Sequence, residues 1–395
     1  AEDEGVARGL VDLLRAGAGG FAEAAARALE GLPRIPAGFA EAGARFLEPR
    51  GVEGTLHLLA IGLLAVLAGF ALERLTARLL APLAGIPAAE TEPVSKGPRA
   101  TLALVARRLA CELVELGAFM GGAWAVIRLA HPPEPMSYLV LWFFLKEPVL
   151  YARATAALSR FLLAPRQAHL RLVQASDAEA RRLHVGAVSA AFLLGLNYYV
   201  LDFLGGHGVD LGTLRLGFWL NLGVTLWLVL ALHRGRHALQ SIVLGDRPEA
   251  ELSEADLRAA RAYPWFAIAA AAAAWVVGQA FVGLGLWHLL DGRLALTLAA
   301  IVAAPAADIA IRWAVRQFGP ATQGAGPVAE RARRAAARAC VRIGRVAGLA
   351  VLALLLAELW GVTLDEIAAA GVGAQAAARL VGALGVAGGG YVAWE

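Results

Sequence analysis

The chain has 395 residues, 59% of them hydrophobic and only 17% charged, where a soluble domain carries roughly a quarter. Its mean hydropathy is +0.61, and the missing charge is concentrated in runs of about 20 residues, each long enough for a helix to cross ~30 Å of hydrocarbon. A bilayer is therefore the expected solvent, and the formal net charge of +4 does not imply nucleic acid, because the basic residues fall in short bursts between apolar runs.

Residues 1–50 come first. They hold short amphipathic stretches, with Val6, Leu10, Leu13 and Leu14 and then Phe21, Ala25 and Leu29 at helical spacing. Gly17 to Gly20, and then Pro33 and Pro36, are expected to break them. None is long or apolar enough to span a bilayer. The segment reads as periplasmic and helical, lying on the membrane or on a partner subunit, or as a loosely ordered tether. The opening Ala-Glu-Asp-Glu without Met matches both a cleaved signal peptide and a trimmed start.

From residue 51 onward, nine apolar runs form the expected transmembrane bundle over 51–395. They lie at Thr55 to Thr76, Leu109 to Leu129, Ser137 to Leu158, Leu183 to Leu204, Leu214 to Leu232, Trp265 to Trp287, Leu294 to Val315, Ala339 to Trp360 and Ala376 to Trp394. The third contains Lys146, Glu147 and Pro148 and is the least regular of them. The fold class is thus all-α: a polytopic membrane bundle of about nine helices arranged as hairpins.

Arginine sets the orientation, because basic loops stay in the cytoplasm during insertion. Arg74, Arg78, Lys96, Arg99, Arg107 and Arg108 lie at the end of the first span and in the loop after it, and Arg153, Arg160, Arg166, Arg171, Arg181 and Arg182 at the end of the third and in the loop after it. Arg234, Arg236, Arg247, Arg258 and Arg261 follow the fifth, and the set from Arg312 to Arg345 surrounds the link after the seventh. The alternate links and their helix ends hold only Arg128, Arg215, Arg293 and Arg379. The expected topology has the N-terminus in the periplasm and the C-terminal end in the cytoplasm of a bacterial inner membrane. Trp124, Tyr138, Tyr263, Trp287, Trp360 and Trp394 sit near expected span ends, as interfacial anchors do.

Two constellations are candidate sites. Arg331, Arg334, Arg338, Arg342 and Arg345 are spaced to share one helix face leading into the eighth span. Such a stripe suits anionic lipid headgroups or a cytoplasmic partner, and equally the plain positive flank of a membrane helix. Asp308 and Arg312, four residues apart in the seventh run, are positioned to pair within the membrane, where an ion site and a lock between helices are both open readings. Glu112 and Glu115, after Arg107 and Arg108, fit the same description.

Asn197, Asp202, Asn221, Gln279 and Glu358 are scattered singly and suit interhelical hydrogen bonds. Ser176 with Glu179 makes a capping box, and Ser253 with Asp256 suggests a second helix start. His233 and His237 read as an exposed helix face, and Cys111 and Cys340 as free thiols near inner helix ends. No metal, cofactor or catalytic site is read: nucleotide-binding glycine loops, a nucleophile elbow and HExxH are all missing. The Gly/Ala run from Ala368 to Gly390 reads as close helix packing.

Two junctions carry a resemblance. One is RFLLAPRQAHLRLVQASDAEARRL, from Arg160 to Leu183, in which a proline ends a membrane helix and an acid-started helix with paired arginines follows. The other is AELWGVTLDEIAAAGVGAQAAARLVGALGVAGGGYVAWE, from Ala357 to Glu395. Together they resemble the large, multi-helix, YbiO-like branch of the small-conductance mechanosensitive channel (MscS) superfamily. The resemblance implies a peripheral, tension-sensing membrane region in a homo-heptamer whose outer helix pairs hold lipid between them. It places the pore-lining residues, with a Gly/Ala pore helix and a β-rich cytoplasmic vestibule, beyond residue 395. A secondary transporter and a membrane-embedded scaffold are the alternatives.

Overall fold

The computed structural model describes residues 2–84, 98–130, 135–164, 175–244, 252, 254–286 and 327–359, together with residues 293, 296, 297, 300, 308, 311 and 315. Every regular element among the described residues is helical. This is the outcome lipid favours, since a helix satisfies its backbone N–H and C=O groups internally. The chain divides into two compact units, residues 1–241 with 264–288 and residues 242–263 with 289–395.

In the first unit, α1 (Glu2–Gly31) leads through a 3₁₀ turn, Leu32–Arg34, into α2 (Ile35–Leu47). Gly17 to Gly20 do not break α1, contrary to the sequence expectation. Flanking Ala, Leu and Arg residues favour helix, and the cost of roughly 1 kcal/mol per glycine is offset where Gly20 packs closely against Ala280 and Leu284. Pro33 gives only the 3₁₀ turn, and Pro36 sits in the first turn of α2, where its missing N–H has no intrahelical partner to lose.

Two long helices follow, α3 (Gly51–Ala84) and α4 (Pro98–Leu129), packed as a hairpin. Small residues set their approach: Ala65 and Ala123 are fully buried, and Gly69 lies under the Phe119 ring. Phe119, Ile127 and Leu145 complete this core. Trp124 on α4 donates its indole N–H to the Tyr138 hydroxyl at 3.1 Å, so two expected interfacial aromatics also tie neighbouring helices together.

The third expected span is interrupted. It is built from α5 (Pro135–Phe144), a π-helical turn at Leu145–Val149, and α6 (Leu150–Leu163). Pro148 supplies no backbone N–H, and the chain answers with a widened turn in which the Leu150 N–H reaches back to the Leu145 carbonyl. Helix α7 (Asp177–Gly206) starts at the expected Ser176/Glu179 capping box, with both reciprocal hydrogen bonds formed. It packs on α6 and, through the short α8 (Leu211–Leu214), turns back into α9 (Leu216–Arg234). Helices α10 (Arg236–Leu244) and α11 (Glu254–Gly283) continue the chain. Ser253 lies outside the described residues, and α11 begins at Glu254.

The second unit takes in the end of α10, the start of α11 and, further along the chain, α12 (Pro327–Leu359).

Among the described residues, six helical stretches are long and apolar enough to cross a membrane: Gly51–Pro82, Ala106–Leu129, Asp177–Gly206, Leu216–Arg234, Asp256–Gly283 and Ala335–Leu359. They match the first, second, fourth, fifth, sixth and eighth expected spans. Most of the seventh and all of the ninth lie outside the described residues.

Gly195 on α7 is the residue that admits the π turn. A Cβ there would fall on the Glu147 carbonyl and 2.7 Å from the Pro148 Cα, both backbone atoms that cannot swing aside. Gly195→Val is expected to destabilise the protein by at least the ~1–3 kcal/mol of an overpacked interface. A thermal melt of the detergent-purified protein checks this, with Gly223→Val as the control, since a Cβ at Gly223 meets open space.

Candidate functional site

Polar side chains in a bundle of this composition are few, and three places in the structure bring them together across helices.

The first joins α3, α4 and α6. Arg153 pairs with Glu73, and its guanidinium lies 4.4 Å from the centre of the Phe119 ring and 5.4 Å from that of Phe70. About two turns of α6 separate it from a second set. There Arg160 donates from Nε at 3.1 Å and from Nη2 at 3.0 Å to Glu112 Oε2, while Arg108 Nε stands 3.5 Å from Glu112 Oε1. Leu109, Ala157 and Phe161 wall an apolar recess beside it. The sequence reading assigned Arg153 and Arg160 to a cytoplasmic link. Both lie on α6 and close ion pairs with the preceding hairpin, and only their distance in sequence from Glu73 and Glu112 hid this.

The second place is the π turn. Glu147 is 4% exposed, its Oε1 is 3.9 Å from Lys146 Nζ, and its Oε2 has no hydrogen-bond partner among the described residues. The carboxyl of Asp202 on α7 faces it. Asp202 is therefore not an isolated polar residue, as its place in the sequence implies. Asn197, by contrast, behaves as read: its Nδ2 donates to Asn221 Oδ1 at 2.7 Å, from α7 to α9. Ser159 and His184 link α6 to α7 through a 2.7 Å contact between Oγ and Nδ1.

The third place is in the second unit. Arg331, Arg334, Arg338, Arg342 and Arg345 all lie on α12. Arg342 is exposed, but Arg345 turns to Asp308, with Nε 2.7 Å from Oδ1 and Nη2 3.4 Å from Oδ2. Arg312, the partner expected for Asp308, lies outside the described residues. Ile311 packs on Gly344 and Gly348, so glycines on either side of Arg345 bring the two segments close enough for that fork. Two candidate sites read separately from the sequence are thus joined by one ion pair.

Other polar groups are structural. Asp210 caps α8. The Thr213 hydroxyl, with the backbone N–H groups of Thr213 and Gly212, holds its carboxyl below the usual carboxylate range. His233 and His237 are exposed and contact Arg236. Cys111 and Cys340 are free.

No family model matches the chain, and comparison with curated proteins and with solved structures finds no similar one. What the fold itself defines is a class: a helical protein whose apolar helices mark it as membrane-embedded.

Two outcomes test these pairs. Glu73→Gln and Arg153→Gln should each cost ~3–5 kcal/mol, the penalty of stranding a poorly solvated charge, while the double variant costs less than either alone. Unfolding free energies of the four proteins of this cycle decide it. In the second unit, Asp308→Arg should weaken the protein and Arg345→Asp should restore part of the loss when the two are combined, read as thermal stability in detergent.

Proposed function

We propose that this chain is the peripheral, tension-sensing transmembrane region of a mechanosensitive ion channel that opens on hypo-osmotic stretch to release ions and small solutes. The observation that carries the reading is the build of the α3/α4 hairpin. Leu56, Leu59, Leu63 and Leu67 leave one flank of the first half of α3 exposed and apolar, ahead of the exposed Arg74 and Arg78. The hairpin's other flank is fastened at a few places, the Phe119 core and the ion pairs Glu73–Arg153 and Glu112–Arg160.

A helix pair surrounded by lipid and held at so few points is free to tilt. Tension favours whichever arrangement occupies more membrane area, and so shifts the population by differential energy without any ligand. The same reading includes about nine spans in a bacterial inner membrane, a periplasmic N-terminus and a cytoplasmic C-terminal end, supported by the arginine distribution. Its partners are membrane lipids and further copies of the chain, seven by the family resemblance.

A second reading, a cation-coupled secondary transporter, is favoured by one feature. Glu147 is buried at the interrupted span and faces Asp202, as broken helices and midplane acids do in carriers. Excised patches containing the intact protein separate the two. Pressure-activated single-channel openings are expected, and Glu147→Gln should leave them in place. Their absence, together with solute uptake abolished by Glu147→Gln, would move the assignment to the carrier. Reporter fusions placed after residues 250 and 325 should both read cytoplasm.

A further inference from the structure

Between Gly20 and Phe46 the N-terminal segment touches, in order, the same end of three membrane helices. Gly20 meets α11 backbone to backbone: a Cβ on Gly20 would lie 2.6 Å from the Ala280 carbonyl oxygen, and one on Gly283 would fall on the Gly20 carbonyl. Phe21 then enters a three-ring cluster, with centroids 5.5 Å from Trp275 on α11 and 6.4 Å from Phe218 on α9, which are themselves 5.3 Å apart.

Two turns on, the Ala28 carbonyl accepts the indole N–H of Trp219 at 3.2 Å. Gly31 and Gly38 lie against Leu214, and Ala42 is buried in a core with Leu204, Val209, Leu214 and Leu216. Arg45 closes the run by donating Nη1 to the His207 carbonyl at 2.8 Å, while Phe46 packs its ring on Phe203 and His207.

The direction of the helices makes this more than a list of contacts. The contacted parts are the C-terminal ends of α7 and α11 and the N-terminal end of α9, which an up-and-down bundle places at one membrane face. The direct join between α9 and α11 described at this face is the Phe218–Trp275 ring contact, and Phe21 sits in the same cluster.

We propose that residues Gly20 to Phe46 form a strap that fixes the in-plane spacing of α7, α9 and α11 at one membrane face, so that these helix ends separate only when the strap lets go. Its role in gating rests on the mechanosensitive reading above, but its role in spacing does not. Three glycines and Ala42 at the contact points have no side chain capable of re-forming the joint elsewhere, so release is an all-or-none slip of the segment, as expected of closely packed surfaces.

The test uses the intact protein, with the pore region that the family resemblance places beyond residue 395, in liposomes, with Cys111 and Cys340 replaced and spin labels at Gly223→Cys on α9 and Val277→Cys on α11. Both sites are open, a Cβ at Gly223 meeting nothing and Val277 being 41% exposed. Two strap variants are compared with the parent: Gly283→Leu, which forces a side chain into the Gly20 backbone, and Phe21→Ala with Phe46→Ala, which removes anchors and adds no bulk. The proposal expects the parent's single short distance to broaden and lengthen in both variants, and the opening pressure in patches to fall. An unchanged distance distribution in the double alanine variant overturns the strap, whatever the currents show. Should Gly283→Leu fail to fold, the double alanine variant alone decides. A parent without pressure-activated current, but with variant distances that lengthen, rejects the channel reading and upholds the strap.

Discussion

Between helices immersed in lipid, burying apolar surface gains almost nothing, because the tails are as apolar as leucine; association depends on close packing and on polar pairs that would otherwise sit unsatisfied in hydrocarbon. That constraint explains where the first unit is held together. Arg153 and Arg160 reach from α6 to acids on α3 and α4, Asn197 reaches from α7 to Asn221 on α9, and Ser159 meets His184 between α6 and α7. The joins of α6 to α3, α4 and α7, and of α7 to α9, each carry one such pair. The Arg153 pair is reinforced by the Phe70 and Phe119 rings, whose faces attract a guanidinium more strongly where water is scarce.

Close packing supplies the remainder, and here glycine and alanine matter for what they leave out. Ala65 and Ala123 let α3 and α4 meet, Gly195 receives the π turn, and Gly20 with Gly283 joins α1 to α11. At each of these points the obstacle to a larger residue is a neighbouring ring, side chain or backbone. The high glycine content therefore does not signal loose helices. At Gly17 to Gly20 a helix breaker by composition sits in an unbroken helix, since one of the three glycines is an interface residue.

Long apolar runs were legible from composition, because hydropathy and length are local properties: the α3, α4, α7, α9, α11 and α12 segments follow directly from them. The Ser176/Glu179 cap was legible for the same reason, being a four-residue signal. What sequence could not reveal was pairing across helices. Glu73 and Arg153 are 80 residues apart, and Asp308 lies 37 from Arg345. An i,i+4 partner such as Arg312 is the natural local guess for Asp308, but a chain folded into hairpins offers partners on neighbouring helices at equal cost. Asp202 illustrates the same limit, as nothing near it in sequence points to Glu147. The irregularity of the third span did leave a trace, Lys-Glu-Pro inside an apolar run. Whether it ended the helix or widened one turn depended on Gly195, some 47 residues later.

The restraints also have an order along the helices. Helices α6 and α7 run antiparallel, so the Glu112–Arg160 pair lies toward the end where α7 begins, whereas the N-terminal segment grips the end where α7 finishes. The π turn against Gly195 lies between these two fastened ends. A π turn exchanges regular i,i−4 bonding for a wider ring, so it is the place along the α5–α6 segment where the axis bends with least loss of hydrogen bonds.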